Sequence, residues 1–218
     1  MKYKDTMRLR TLVVAVSICK MFNQTSKGYI IMAENSKKNG NDDRRMIFLT
    51  GEINEEKSEK VIIKLIELEF KDPINPILMV VESNGGYVDS MWAIVNTMNM
   101  LRCKVYTLVL GKAMSAGSLI FIHGEKGHRF LAPDCRLMFH QIRSCFFGKS
   151  EDINSSAKEI ERMQDFIYKK ISERTNMSLK DVREEMKTDR FIMPKECLQL
   201  GIGDMIIKDF GDIGIKDL

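Results

Sequence analysis

Two glycine-bearing turns, each just past an apolar run, hold the residues whose types could do chemistry: Glu82-Ser83-Asn84-Gly85-Gly86 and Gly111-Lys112-Ala113-Met114-Ser115-Ala116-Gly117. Glycine lets backbone N–H groups approach a ligand closely, and ligands of α/β sheets gather at the carboxyl ends of strands. Ser115 lies between small residues at the start of an apolar helical stretch. There its oxygen would sit near backbone donors and the positive helix end, which is what an oxyanion-forming acyl transfer needs. His140 ends the run Arg136–His140, and Asp189 follows a helix opened by Ser178 and Asp181 in capping-box spacing. Each residue also has a plain reading: Ser115 as a turn or cap residue, His140 as a structural residue after a strand, Asp189 as a helix-end charge. Spacing alone does not join the three.

The elements that must position them form an alternation. Met46–Leu49 reads as a short buried strand ended by Thr50-Gly51. Ser58–Phe70 places Val61, Ile62, Leu65, Ile66 and Leu68 on one broad helical face. A loop with Pro73 and Pro76 precedes the continuous apolar strand 77–83, of the kind buried on both faces. A helix over 88–101, a strand over 104–110, a buried helix over 118–124 and short strands in His128–Pro133 and Arg136–His140 follow. Ser150 can cap a long amphipathic helix with Ile153, Ala157, Ile160, Met163, Ile167 and Ile171 on its apolar stripe. Strand–helix alternation predicts an α/β fold with a right-handed parallel core.

The chain has 218 residues, 44% hydrophobic, enough for one α/β domain with a sizeable core, or one domain plus a short appendage. A net charge of +4 with no basic stripe argues against nucleic-acid binding. Five cysteines without a CxxC pair, and three histidines without ligand spacing, argue against a disulfide framework or a zinc site and fit a reducing compartment. No apolar run reaches the roughly 18 residues that span a bilayer. Lys2, Lys4, Arg8 and Arg10 precede the short apolar stretch 12–19. This segment reads as an export signal, a removable pro-segment or a docking helix, or translation starts at Met32, where the sequence turns polar. Residues 1–44 are accordingly expected to be a partly disordered or processed segment and 45–218 the folded domain.

Read together, the segments resemble the proteolytic subunit of the Clp protease, from about Arg45 to about Ile207. The likeness is carried by RRMIFLTGEIN, ESNGGYVDSMWAIVNTM, GKAMSAG, GEKGHRFLAPDCRLMFHQ, SAKEIERM, ISERTNMSL and DRFIMPKECLQLGIGD, in the family's order. The spacings of Ser115, His140 and Asp189 match the family's catalytic set. The resemblance implies a ClpP/crotonase-like fold of stacked parallel-sheet αβ units with a projecting helix-strand handle at about 141–175. It implies a serine endopeptidase with Ser115 as nucleophile, His140 as base and Asp189 as its orienting acid. Gly85 and Ala116 would supply the oxyanion-hole N–H groups. Gly86, Met114, Gln141 and Ile142 would bind substrate, which adds as a strand after His140. No metal or organic cofactor is implied in this chain. ATP would be used by a partner AAA+ unfoldase feeding unfolded polypeptides into a cytoplasmic homo-oligomer of heptameric rings stacked in pairs.

Several positions depart from the family. Ser83-Asn84-Gly85-Gly86 replaces Ser-Pro-Gly-Gly, Ala116 replaces the methionine after the nucleophile, and Ile142 replaces a proline. Arg143, Cys145, Phe146 and Phe147 stand in a segment that is glycine-rich in the family. Lys187-Thr188 replaces a ring-sensing Asp-Arg pair, and Leu78 and Val80 replace tyrosines of the unfoldase-docking pocket. Altered side-chain preference and altered ring pairing are expected. The competing functions are a non-catalytic ring subunit, a phage-type processing protease, and a crotonase-like enzyme acting on acyl-CoA thioesters.

Overall fold

A computed structural model describes residues 44–215; the readings of the N-terminal segment before Arg44 lie outside the described residues. Strands β1 (Met46–Ile53), β2 (Ile77–Gly86) and β3 (Val105–Met114) lie side by side and parallel, linked by helices α1 (Glu55–Lys71) and α2 (Val88–Met100). Ile77 to Val81 are almost wholly buried because β2 is covered on both faces, which accounts for its unbroken apolar run. One face carries Leu49, Leu65, Met79, Val81 and Ile94; the other buries Leu78, Val80, Leu108 and Phe130. α1 starts at Asn54, whose Oδ1 accepts the Lys57 N–H at 2.9 Å, with Glu55 and Glu56 in the first turn and Lys71 in the last.

Three strands run further than the sequence predicts, and each extension serves the site. β1 does not stop at Thr50-Gly51. Gly51 takes φ +76°, the ladder bulges between Thr50 and Glu52, and pairing resumes with Glu52 against Gly85 and Ile53 against Gly86. β2 therefore continues through both glycines. β3 changes partner midway: Thr107–Val109 pair with β4 (Arg129–Leu131), and Lys112–Met114 pair with β5 (Arg136–Phe139). The change is stabilised by Glu82, whose Oε2 accepts the N–H groups of Gly111 and Lys112 at 2.8 and 3.0 Å. β6 (Arg190–Ile192) runs antiparallel to β5, and β7 (Met205–Ile206) joins β4 at the far edge.

Between these strands lie α3 (Ala116–Ile122), buried along its whole length, and the 25-residue α4 (Ser150–Arg174). Ser150 is the first helical residue of α4 rather than its cap; Lys149 takes the cap position, and no side-chain capping bond forms. The buried residues of α4 are Gln164, Ile167, Tyr168 and Ile171, all in its second half. In the first half Ile153 is exposed, and Ala157 and Ile160 are half-buried. Helices α5 (Leu179–Glu185) and α6 (Pro194–Gln199) follow, the former capped by Ser178, whose Oγ accepts the Asp181 N–H at 3.2 Å.

The C-terminal end of α4 is tied to the sheet by charge. Arg129 is buried; its Nε and Nη2 donate to Asp204 at 2.8 and 2.5 Å, and its Nη1 donates to the Arg174 carbonyl at 2.8 Å. Arg174 in turn donates to the carbonyls of Ile122 and Gly124. Burial pushes the Asp204 carboxyl up, but the bonds from Arg129 and from the Gly127 and Arg129 N–H groups outweigh it and hold it below the usual carboxylate value. Replacing Asp204 with asparagine leaves a buried guanidinium short of its counter-charge and is expected to cost about 3 kcal/mol in urea unfolding. Because the folded-state value is depressed, this contribution is complete above the unfolded carboxylate range and disappears as pH falls through the folded value. The wild type should therefore lose its advantage over Asp204→Asn in acid.

Candidate active site

Ser115 is the single residue between the end of β3 and the start of α3. To turn the chain within one residue it takes φ 53°, ψ −122°, and among the described residues it alone has positive φ without being glycine. Such a conformation costs on the order of 1–3 kcal/mol and persists only where neighbours enforce it. They do so here: the Ser115 N–H donates to the Met138 carbonyl at 2.8 Å, and Ser118 Oγ, buried beneath, contacts the carbonyls of Ala113 and Met138, both at 2.7 Å. The sharp turn pushes the hydroxyl outward.

His140 is the first residue past β5, and its Nε2 lies 2.8 Å from Ser115 Oγ. The antiparallel register of β5 and β6 sets Phe139 against Arg190, so one step further along both strands brings Asp189 to His140. Asp189 Oδ1 lies 3.5 Å from His140 Nδ1, too long for a good hydrogen bond, and that buried nitrogen has no other partner. Burial lowers the basicity of His140, the Arg143 charge lowers it further, and Asp189 opposes both; the net value falls below that of free imidazole. The ring is neutral at neutral pH, able to accept a proton from Ser115.

Ser115 and His140 open on a cleft of about 170 Å³ whose apolar wall includes Met91, Leu119, Phe139, Ile142, Ile167 and Met186. Of the expected site residues, Ala116, Gly86, Gln141 and Ile142 line the cleft beside Ser115 and His140; Gly85, Met114 and Asp189 do not. The three buried cysteines are poor nucleophiles. Burial pushes the Cys103 thiol up to about 11 and those of Cys135 and Cys197 up to about 12. Among the described residues no cluster of three or more histidines, cysteines or carboxylates could hold a metal, and no helix is long and apolar enough to cross a membrane.

A family model described as Clp protease matches residues 33–210, most of the chain. The chain belongs to the Clp protease family. It is thus a Clp-type peptidase in general character, with the mixed α/β fold expected of that family.

Within this Clp-type site Gly85 and Met114 lie off the cleft lining. The Gly85 N–H points away from the cleft: it donates at 2.9 Å to Ser83 Oγ, which itself donates to the Gly51 carbonyl on β1 at 2.5 Å. The Tyr87 N–H also faces β1, on the Ile53 carbonyl at 2.8 Å. Gly86, the next residue, lines the cleft together with Ser115 and Ala116. Gly85 has a different use. A Cβ there would lie 2.7 Å from Ser115 Cβ and 2.9 Å from the Met114 carbonyl oxygen, so only glycine lets β2 pass behind the turn. Met114 is buried in β3 rather than in the cleft wall.

The segment after His140 also differs from the expected strand. Residues 141–149 carry no strand pairing, and the segment is fastened to α4 instead. Gln141 Nε2 donates to the Tyr168 hydroxyl at 2.9 Å, and the Ile142 N–H donates to Gln164 Oε1 at 2.6 Å. Where the family has proline there is no N–H to satisfy; Ile142 has one, and buried Gln164 accepts it. Gln164 could have been found as the one amide interrupting an apolar stripe between Ile160 and Ile167. Ser118 carries no comparable signal.

Proposed function

We propose that this chain is a serine endopeptidase, the proteolytic subunit of a Clp-type ATP-dependent protease. The 2.8 Å contact between Ser115 Oγ and a His140 ring kept neutral by burial carries this reading. Ser115 attacks the peptide carbonyl as His140 Nε2 takes its proton. His140 then returns that proton to the leaving amine, with Asp189 holding the imidazole and stabilising the imidazolium. The Gly86 and Ala116 N–H groups receive the oxyanion, each such donor contributing about 3 kcal/mol to the transition state. The apolar cleft wall suits an apolar substrate side chain next to the scissile bond. Ala116, smaller than the family's methionine, leaves it room.

The family's assembly supports the remainder of the reading. The half-covered apolar stripe on the first half of α4, together with exposed Ile153 and Phe147, suits subunit pairing into stacked rings in the cytoplasm. Leu78 and Val80 are buried where the family presents docking tyrosines, so an unfoldase would engage a surface of altered chemistry.

Fluorophosphonate labelling tests the assignment. Assembled protein should become labelled at Ser115, as read by peptide mass mapping. Because the base must be neutral and its folded value is depressed, labelling should persist below pH 6.5 and fail only in stronger acid. Assembled, folded protein that stays unlabelled at every pH would support a non-catalytic ring subunit instead.

A further inference from the structure

Asp189 has a second suitor. Arg143 Nη2 contacts both of its carboxylate oxygens, at 2.8 and 2.9 Å, while His140 Nδ1 is left at 3.5 Å without a partner. We propose that Arg143 is a resting latch: it draws the Asp189 carboxylate onto its guanidinium and away from His140, and hydrolysis runs at full rate only when that pair opens. This rests on the peptidase reading given above.

The geometry makes the latch cheap to open. The Arg143 side chain is 71% exposed and that of Asp189 42%, so their attraction is screened by water and salt. His140 Nδ1, by contrast, is buried, and an unmet donor there favours the carboxylate's return once the guanidinium leaves. Arg143 also lines the cleft, so a substrate entering it meets the latch directly. The charged groups acting on His140 are Arg143, from the segment after β5, and Asp189, before β6. Arg190, the next residue on β6, is held by Glu185 and Glu196, and α4 presents the neutral Gln164 on this side. Arg143 is therefore a positioning residue that acts on the nucleophile through Asp189 and His140.

The test compares wild type, Arg143→Met and Arg143→Lys by the rate of fluorophosphonate labelling at Ser115 and by kcat for a short fluorogenic peptide, each across pH. Arg143→Met should raise the plateau of both about fivefold, the scale of one exposed charge pair. Removing the positive charge should also move the acid limb to higher pH by about half a unit. Arg143→Lys keeps the charge and should retain the wild-type limb. Added salt should narrow the gap between wild type and Arg143→Met. An Arg143→Met protein slower than wild type, or one with the same plateau and limb, would overturn the latch. Absence of Ser115 labelling in the wild type would instead remove the peptidase reading beneath it.

Discussion

Ser115→Ala is expected to lower peptide hydrolysis by about 10⁴–10⁶-fold while the fold stays intact. The side chain has one hydrogen-bond partner, His140 Nε2, and its backbone, not its hydroxyl, holds the turn. Loss of the hydroxyl therefore removes the attacking atom and one partly buried hydrogen bond, worth about 1 kcal/mol. Alanine keeps the strained φ of 53°, so the turn is not relaxed. Ser115→Gly, equally inert, should be the more stable of the two near this positive φ. Fluorogenic peptide assays beside thermal unfolding and native mass separate the two effects. An alanine variant that retained more than about one part in a hundred of the activity, far above the residual rate expected of a nucleophile deletion, would mean another group attacks.

The parts of this site legible in sequence are those fixed by local pattern. Continuous apolar runs mark β2 and β3, because burial on both faces leaves no room for polar alternation, and the 3–4 spacing from Ile153 to Ile171 marks α4. What the sequence conceals is decided by pairing. Gly51 looks like a strand end, yet its positive φ produces a bulge that carries Ile53 onward to Gly86. His140 and Asp189 meet through a three-residue antiparallel register, and no local feature of either segment announces it; only the family likeness joined them beforehand. The same holds for the adjacent glycines. The family likeness points to Gly85, and only the pairing of β2 with β1 shows that its N–H turns to Ser83 Oγ. Arg143 could be read as bulky and out of place, but its bond to Asp189 depends on where β6 lies.

Those two glycines give the second large effect. Gly86→Ala is expected to abolish detectable peptidase activity, at least a 10³-fold loss, and to destabilise the fold by about 3 kcal/mol. A Cβ on Gly86 would fall onto the backbone of Ile53, within 2.7 Å of both its N and its C and closer still to its carbonyl oxygen. No rotamer change relieves a clash between backbones, so β1 and β2 must part at the Ile53–Gly86 pair, beside the cleft. The nucleophile turn, seated on β3 and β5, should keep its shape. Gly51→Ala provides the control for dihedral cost. Gly51 is left-handed, at φ +76°, but a Cβ there meets nothing within 4 Å, so that variant should lose only about 1–2 kcal/mol. Urea unfolding ranks the two losses, and fluorophosphonate labelling of folded Gly86→Ala reads the oxyanion site itself, since phosphonylation also places an anionic oxygen there. If folded Gly86→Ala labels within tenfold of wild type, the Gly86 N–H is not a donor of the expected strength, and the oxyanion must be held by Ala116 with some other group.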